Sequence, residues 1–229
     1  MMGKKYLFVV PARAGSKGIV NKNIKMVKGI PLIEYTLKSL ETFDRSNVKV
    51  VVSSDSEEIL SISEKYDVDL ALRPAHLSTD NAKTLDLVLY ILDEYEKRNS
   101  VFSNVMILQP TSPLRSKEDI ESSMKSFEKF HGSSLISVYE LKGIKETYLY
   151  KHKSENSVIP LSGKHDKGLP RQTEGNLFVR NGAIYISEVD MIRKHKKIIS
   201  NNPIIYQMPK SRSINIDSLE DLKRFEGVA

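Results

Sequence analysis

Cysteine is absent from all 229 residues. Disulfides, thiolate zinc sites, iron–sulfur clusters and cysteine nucleophiles are thereby excluded. The absence fits a reducing compartment, and the cytoplasm is the expected location. No apolar run approaches the ~20 residues that a membrane-spanning helix needs, so no membrane partner is expected. The chain enters a strand pattern almost at once, at Tyr6, and no signal peptide is expected. Excess charge is also scarce: 35 Lys and Arg against 29 Asp and Glu leave +6. That balance is too mild to argue for nucleic acid, and none is expected as a partner. The one dense basic cluster, Lys194 to Lys197, reads as a solvated helix end rather than an anion-steering patch. Internal repeats and low-complexity segments are missing as well.

What is present suits one large domain, with 40% hydrophobic and 28% charged residues. Strand and helix patterns alternate over the first ~140 residues, the mark of an α/β fold with a mostly parallel sheet and right-handed connections. Strands are expected at Tyr6–Val10, Val48–Ser53, Asp69–Leu72, Val105–Leu108, Leu135–Val138, Ala183–Ile186 and Ile204–Met208. Pro31 opens the first helix, whose apolar stripe is Ile33, Leu37 and Leu40. Further helices carry Leu85, Val88, Leu89 and Leu92; Ile120, Met124 and Phe127; and Leu219, Leu222 and Phe225. From Glu140 to Asn176 the chain is polar, with Thr147–Tyr150 reading as a short strand. So long an irregular stretch in a compact domain is functional or ordered by a partner.

The most informative segment is Val9 to Asn23, where the first strand runs into a loop with two glycines and three cations. Gly15 and Gly18 let backbone approach a ligand closely, and Arg13, Lys17 and Lys22 surround the opening with positive charge. Such a loop suits a polyanion, most simply a triphosphate. It lacks the Gly-Lys-Ser/Thr ending of a Walker A loop and the Gly-x-Gly-x-x-Gly of a dinucleotide turn. Ligands of open α/β sheets bind at this carboxyl end of the strands.

Other strand ends add polar groups. Ser53-Ser54-Asp55 follows a buried strand, where helix capping competes with ligand binding. Arg73-Pro74 precedes Leu77-Ser78-Thr79-Asp80; Thr79 or Asp80 could cap the next helix, whereas Arg73 points to the same crevice. In Gln109-Pro110-Thr111-Ser112-Pro113-Leu114-Arg115 the prolines stiffen a turn. Gln109 and Arg115 can supply hydrogen bonds to a sugar or an acid. Ser218 and Asp221 form a capping-box pattern. Asn215 and Asp217 are two apart and share a side of an extended chain, a placement that suits Mg²⁺.

Together, Pro-Ala-Arg-Ala-Gly-Ser-Lys-Gly…Lys-Asn, Arg-Pro…Leu-Ser-x-Asp, Leu-Gln-Pro-Thr-Ser-Pro-Leu-Arg, Arg-Gln…Asn-Gly-Ala-Ile-Tyr and Ile-Asn-Ile-Asp-Ser resemble the N-acylneuraminate cytidylyltransferases. That family includes relatives acting on legionaminic acid. The motifs run in order from residue 9 to about 221. The resemblance implies a Rossmann-like nucleotidyltransferase fold over residues 1–229, with a dimerisation arm inserted at about 140–180 and a homodimer. It implies transfer of CMP from CTP to a nine-carbon acidic sugar, with Mg²⁺ (or Mn²⁺) as cofactor. Arg13, Lys17 and Lys22 are the implied catalytic residues. Ala12, Gly15, Ser16, Asn23, Arg73 and Ser78 join Arg13 and Lys17 around the nucleotide. Gln109, Arg171, Gln172 and Tyr185 are implied for the sugar, and Asp217 with Asn215 for the metal.

Two positions depart from the family. Its metal motif is typically Asp-Ile-Asp, where this chain has Asn215-Ile216-Asp217. Sialate enzymes commonly carry Arg directly after the Phe of the sugar pocket, whereas here Val179 follows Phe178 and Arg180 comes one later. A one-residue slip on a strand turns a side chain to the other face, so carboxylate recognition is expected to use another group. A cytidylyltransferase for 3-deoxy-manno-octulosonate and a non-catalytic nucleotide-binding homologue are the alternatives.

Overall fold

The computed structural model describes residues 5–15, 18–166 and 175–228. In chain order it contains β1 (Tyr6–Pro11), β2 (Met26–Val27), β3 (Ile30–Pro31), α1 (Leu32–Lys38), β4 (Val48–Ser54), α2 (Glu57–Ser63), β5 (Asp69–Leu72), α3 (Thr84–Glu96) and β6 (Asn104–Ile107). There follow α4 (Lys117–Phe130), β7 (Ser134–Glu140), β8 (Tyr150–Ser154), β9 (Ser157–Pro160), β10 (Phe178–Glu188), α5 (Val189–His195), β11 (Ile204–Gln207) and α6 (Leu219–Val228).

Seven strands form one sheet in the order β11-β7-β10-β6-β1-β4-β5. β1 pairs in parallel with β4 and β6, β4 with β5, and β7 with β11. Only β10 runs antiparallel, between β6 and β7. The sheet is thus mostly parallel and flanked by helices, as the alternation along the chain requires.

The central strands are buried on both faces, which is why they read as unbroken apolar runs. Their period of two divides them between two cores. Phe8, Val10, Val50, Val52, Met106 and Leu108 face a core with α1, α2 and α4. Leu7, Val9, Val51, Val105 and Ile107 face the core of α3 and α5. A third cluster joins Ile19 of the opening loop to Leu32, Ile214, Ile216 and Phe225. It fixes that loop against the segment before α6, and full burial of a side chain such as Phe225 contributes about 1.5–3 kcal/mol.

Local signals behave as their chemistry demands, with three corrections. Ser218 and Asp221 cap α6 reciprocally, Asp221 N–H donating to Ser218 Oγ at 3.2 Å and Ser218 N–H to Asp221 Oδ2 at 2.9 Å. The basic cluster ends α5, with Lys196 in the left-handed conformation at its C-cap. Residues Glu146–Tyr148, however, make a 3₁₀ turn, and the strand begins only at Tyr150. Residues 183–186 are the middle of an eleven-residue strand whose first residues are largely exposed. Thr79 and Asp80 do not cap α3, which starts at Thr84 with Lys83 at its N-cap. β8 and β9 pair as a hairpin outside the main sheet, with Tyr150, Val158, Ile159 and nearby Leu161 exposed.

Candidate active site

A cleft of about 590 Å³ opens at the carboxyl ends of β1 and β6. Pro11, Arg13, Gly18, Lys22 and Asn23 line one wall. The opening loop is held there by its own polar groups. Asn23, almost fully buried, donates from Nδ2 to the Arg13 carbonyl at 2.8 Å. The Ala14 N–H donates to Asp55 at 2.8 Å. A Cβ on Gly18 would collide with the Asp217 carbonyl, so only glycine lets the loop and that segment meet.

Arg13, Lys22 and Arg73 already have anionic or carbonyl partners. Arg13 bonds Asp80 at 2.8 Å, across from the opening loop. Lys22 Nζ donates to the Ile216 carbonyl at 2.7 Å and to Asp217 Oδ1 at 3.0 Å. Arg73, only 8% exposed, donates from one terminal nitrogen to the Ser53 carbonyl at 2.9 Å while its Nε has no partner. Burial pushes its pKa down to about 10, against the pull of Asp55 and with a further push from Arg13. A guanidinium held in so dry a place gains strongly from an incoming anion.

Gln109, Pro110 and Thr111 form another wall. Gly182, at φ +78°, lies close enough that a Cβ would stand 3.0 Å from Gln109 Oε1. Asn215 and Asp217 also line the cleft. Asn215 donates from Nδ2 to Asp217 Oδ2. This leaves Asn215 Oδ1 buried and without a hydrogen-bond partner.

No cluster of three or more His, Asp or Glu side chains suited to a metal occurs among the described residues. The donor set for a divalent cation is therefore one carboxylate, Asp217, and one orphaned amide oxygen, on Asn215. That set fits Mg²⁺, which is commonly held by one or two carboxylates with substrate phosphates completing its shell.

The structure thus brings Arg13, Lys22, Asn23, Arg73, Gln109, Asn215 and Asp217 to one cleft. Other expected residues stand elsewhere. Ala12 is fully buried in the sheet core, its N–H on the Ser53 carbonyl at 2.9 Å. Gly15 is exposed and off the cleft wall. Ser78 donates to the Pro74 carbonyl at 3.1 Å, closing a turn beneath the cleft wall rather than facing it. Tyr185 is half-buried against the α3 core and lies outside the wall. Burial raises its phenol pKa, opposed by Arg180. Ser16, Lys17, Arg171 and Gln172 lie outside the described residues.

Arg115 is the clearest correction. It is 2% exposed and turned inward, donating to the Gln109 and Ala183 carbonyls at 3.2 and 2.8 Å and to Thr36 Oγ1 at 2.9 Å. It holds the Gln109 turn and does not line the cleft. Asp55 likewise braces the opening loop, while Ser56 caps α2.

Two groups escaped the sequence reading. Lys83 lines the cleft beside Thr84, with no motif to mark it. Asn181, 4% exposed, accepts from Ser137 Oγ at 2.6 Å and Ala183 N–H at 3.1 Å, and donates to Ser213 Oγ at 2.9 Å. It joins β10 and β7 to the segment bearing Asn215. Its place beside Gly182 in the Asn-Gly-Ala-Ile-Tyr motif was the available signal.

Comparison with known proteins shows the family. A family model described as cytidylyltransferase matches residues 7–226. The N-acylneuraminate cytidylyltransferase of Streptococcus agalactiae serotype V is 33% identical over 221 residues, covering 95% of this chain and 51% of that protein. The CMP-N,N'-diacetyllegionaminic acid synthase of Legionella pneumophila is 30% identical, covering 93% of this chain and 91% of that one. The pseudaminic acid cytidylyltransferase of Campylobacter jejuni is 28% identical, covering 96% and 94%. The chain therefore spans about half the length of the streptococcal relative and nearly all of the other two. Among solved structures, a CMP:2-keto-3-deoxy-manno-octonic acid synthetase complexed with CTP aligns with a TM-score of 0.68 at 13% identity, covering 98% of each chain. At that identity the likeness is one of fold.

Proposed function

This chain belongs to the cytidylyltransferase family, and from that premise we propose that it transfers CMP from CTP to a nine-carbon acidic sugar of the sialic, legionaminic or pseudaminic type. One observation carries the reading. A single cleft sets Arg13, Lys22 and Arg73 on one side, Gln109 on another, and Asp217 with Asn215 among them. The relatives' names supply the substrate class.

In this reaction the anomeric oxygen of the sugar bonds to the α-phosphorus of CTP. The bond from that phosphorus to the bridging oxygen breaks, pyrophosphate leaves with the electron pair, and the hydroxyl proton passes to solvent. The work of the protein is positioning and stabilisation of charge on the transferring group. Arg13 and Lys22 exchange Asp80 and Asp217 for phosphate oxygens. Arg73 gains a partner for the Nε that has none. Gln109 supplies neutral hydrogen bonds to the sugar. Lys17 belongs to the phosphate-binding set by resemblance. A divalent cation, Mg²⁺ or Mn²⁺, would be held by Asp217 and Asn215 Oδ1 and supplies positive charge to the triphosphate when bound.

The same reading makes the protein a cytosolic homodimer. The exposed apolar side chains Tyr150, Val158, Ile159 and Leu161 on and beside the β8–β9 hairpin favour an arm that covers a second copy. Light scattering of the purified chain gives the oligomeric state, and a monomer at micromolar concentration would reject the dimer.

Pyrophosphate release from CTP, assayed with N-acetylneuraminic, legionaminic, pseudaminic and octulosonic acids, tests the function. Release with one of the first three and metal is expected. Release with the octulosonate alone would replace the substrate class. CTP binding without release for any acid would leave a nucleotide-binding homologue.

A further inference from the structure

Among the described residues, β10 carries a cation near the Gln109 end of the sheet that this reading leaves unused. Arg180 is exposed on β10, its guanidinium carbon 5.7 Å from the centre of the Tyr185 ring. The two residues are five apart in sequence, a spacing that faces opposite sides in a regular strand. β10 is not regular between them. Arg180 pairs with Val138 of β7, and Tyr185 pairs with Ile136. These partners are two apart, so Arg180 and Tyr185 share a face. Gly182, at φ +78°, lies inside this irregularity, in a conformation that other residues rarely adopt.

The shared face is that of the cleft. The Tyr185 ring packs against the α3 cluster, and two members of that cluster, Leu77 and Leu87, also line the cleft. β10 runs antiparallel to β6 with Tyr185 opposite Ile107. Earlier residues of β10 therefore lie past Ile107, at the end of the sheet where Gln109 stands. The other described cations around the cleft stand at different places on its wall or behind it. Arg13, Lys22 and Arg73 stand at the opening loop and its neighbouring turn, Lys83 stands at the N-cap of α3, and the terminal nitrogens of Arg115 are bound to Gln109, Ala183 and Thr36.

We propose that Arg180 reads the carboxylate of the acidic sugar, with the Tyr185 ring holding its guanidinium in place. A cation over an aromatic face is oriented without spending its N–H donors, and the planar fork then pairs with a carboxylate through two parallel bonds. The bulge supplies what alternation alone denies, since it puts Arg180, and not Val179, on the face of Tyr185. This inference rests on the proposed function, because only an acidic substrate presents the carboxylate.

The test pairs the variant with a substrate analogue. In the wild type, replacing the carboxylate of the accepted sugar by a carboxamide raises KM about 10- to 100-fold. Arg180→Met raises KM for the acid by a similar factor, leaves KM for CTP within about twofold, and no longer distinguishes acid from amide. Arg180→Lys recovers part of the preference. The thermal midpoint stays unchanged, because the side chain is exposed. The inference is overturned if Arg180→Met still prefers the acid as strongly as the wild type does, or if KM for CTP rises in step with that for the acid. A wild type that releases no pyrophosphate with any acid rejects the proposed function itself, before any variant is made.

Discussion

The turn after β5 and the turn after β6 each place an arginine beside the same cleft, and the two arginines do different work. Arg73 is buried with one hydrogen bond and an unpartnered Nε, and it lines the cleft. Arg115 is buried with bonds to two carbonyls and a hydroxyl, and it faces away. Burial pushes both pKa values down, to about 10 for Arg73 and about 9 for Arg115, where Asp119 opposes the fall. A depressed pKa therefore does not separate them. Nor does the Nε, which lacks a partner on both arginines. What separates them is position: the terminal nitrogens of Arg115 hold a wall together from behind it, and Arg73 stands on the wall itself.

Removing each side chain breaks the comparison most directly. Arg115→Met leaves the Gln109 and Ala183 carbonyls and Thr36 without their buried donor. The loss is about 3 kcal/mol or more, enough to lower the thermal midpoint by roughly 6–12 °C for a domain of this size. An unchanged midpoint in calorimetry would show that the bonds are replaced by water and that the turn stands without Arg115.

Arg73→Met is expected to act on binding instead. It removes an under-solvated charge, so stability stays within about 1 kcal/mol of the wild type. The affinity for CTP, measured by titration calorimetry, falls about 10- to 100-fold, the worth of a charge-assisted bond in a dry site. Full CTP affinity in this variant would put Arg73 with Arg115 among the residues that merely brace the fold.

This contrast marks how far the sequence could be read. The strands β1, β4 and β6 were legible because burial on both faces demands continuous apolar runs, and little else in the chain has that pattern. The cluster of Arg13, Lys22, Asn23, Arg73 and Gln109 was legible because ligand-binding residues collect at strand ends. The direction of a side chain within a turn was not, since Arg115 and Gln109 flank the same prolines and only packing against Thr36 and Ala183 turns one inward. The path of β10 was hidden for a related reason. It advances five residues while β7 advances two, and such a register shift belongs to a pair of strands. Ser78 was assigned to the nucleotide by resemblance, although local geometry ties its hydroxyl to Pro74.

The smallest expected effect concerns the floor of the cleft, where this chain has Asn215 before Asp217. Asp217 is balanced by Lys22 on one oxygen and by the Asn215 amide on the other. The nucleotide-free protein therefore presents little net negative charge to a divalent cation. Titration with Mn²⁺, followed by the paramagnetic resonance signal of the free ion, should show little binding to nucleotide-free wild type and clear binding once CTP is present. Asn215→Asp places two carboxylates together beside a single lysine. Their repulsion is relieved by a cation, so Mn²⁺ should bind the nucleotide-free variant about tenfold more tightly, roughly 1.4 kcal/mol. Equal binding to variant and wild type would mean that residue 215 lies outside the metal's reach, and that Asn215 Oδ1 is orphaned for some other reason.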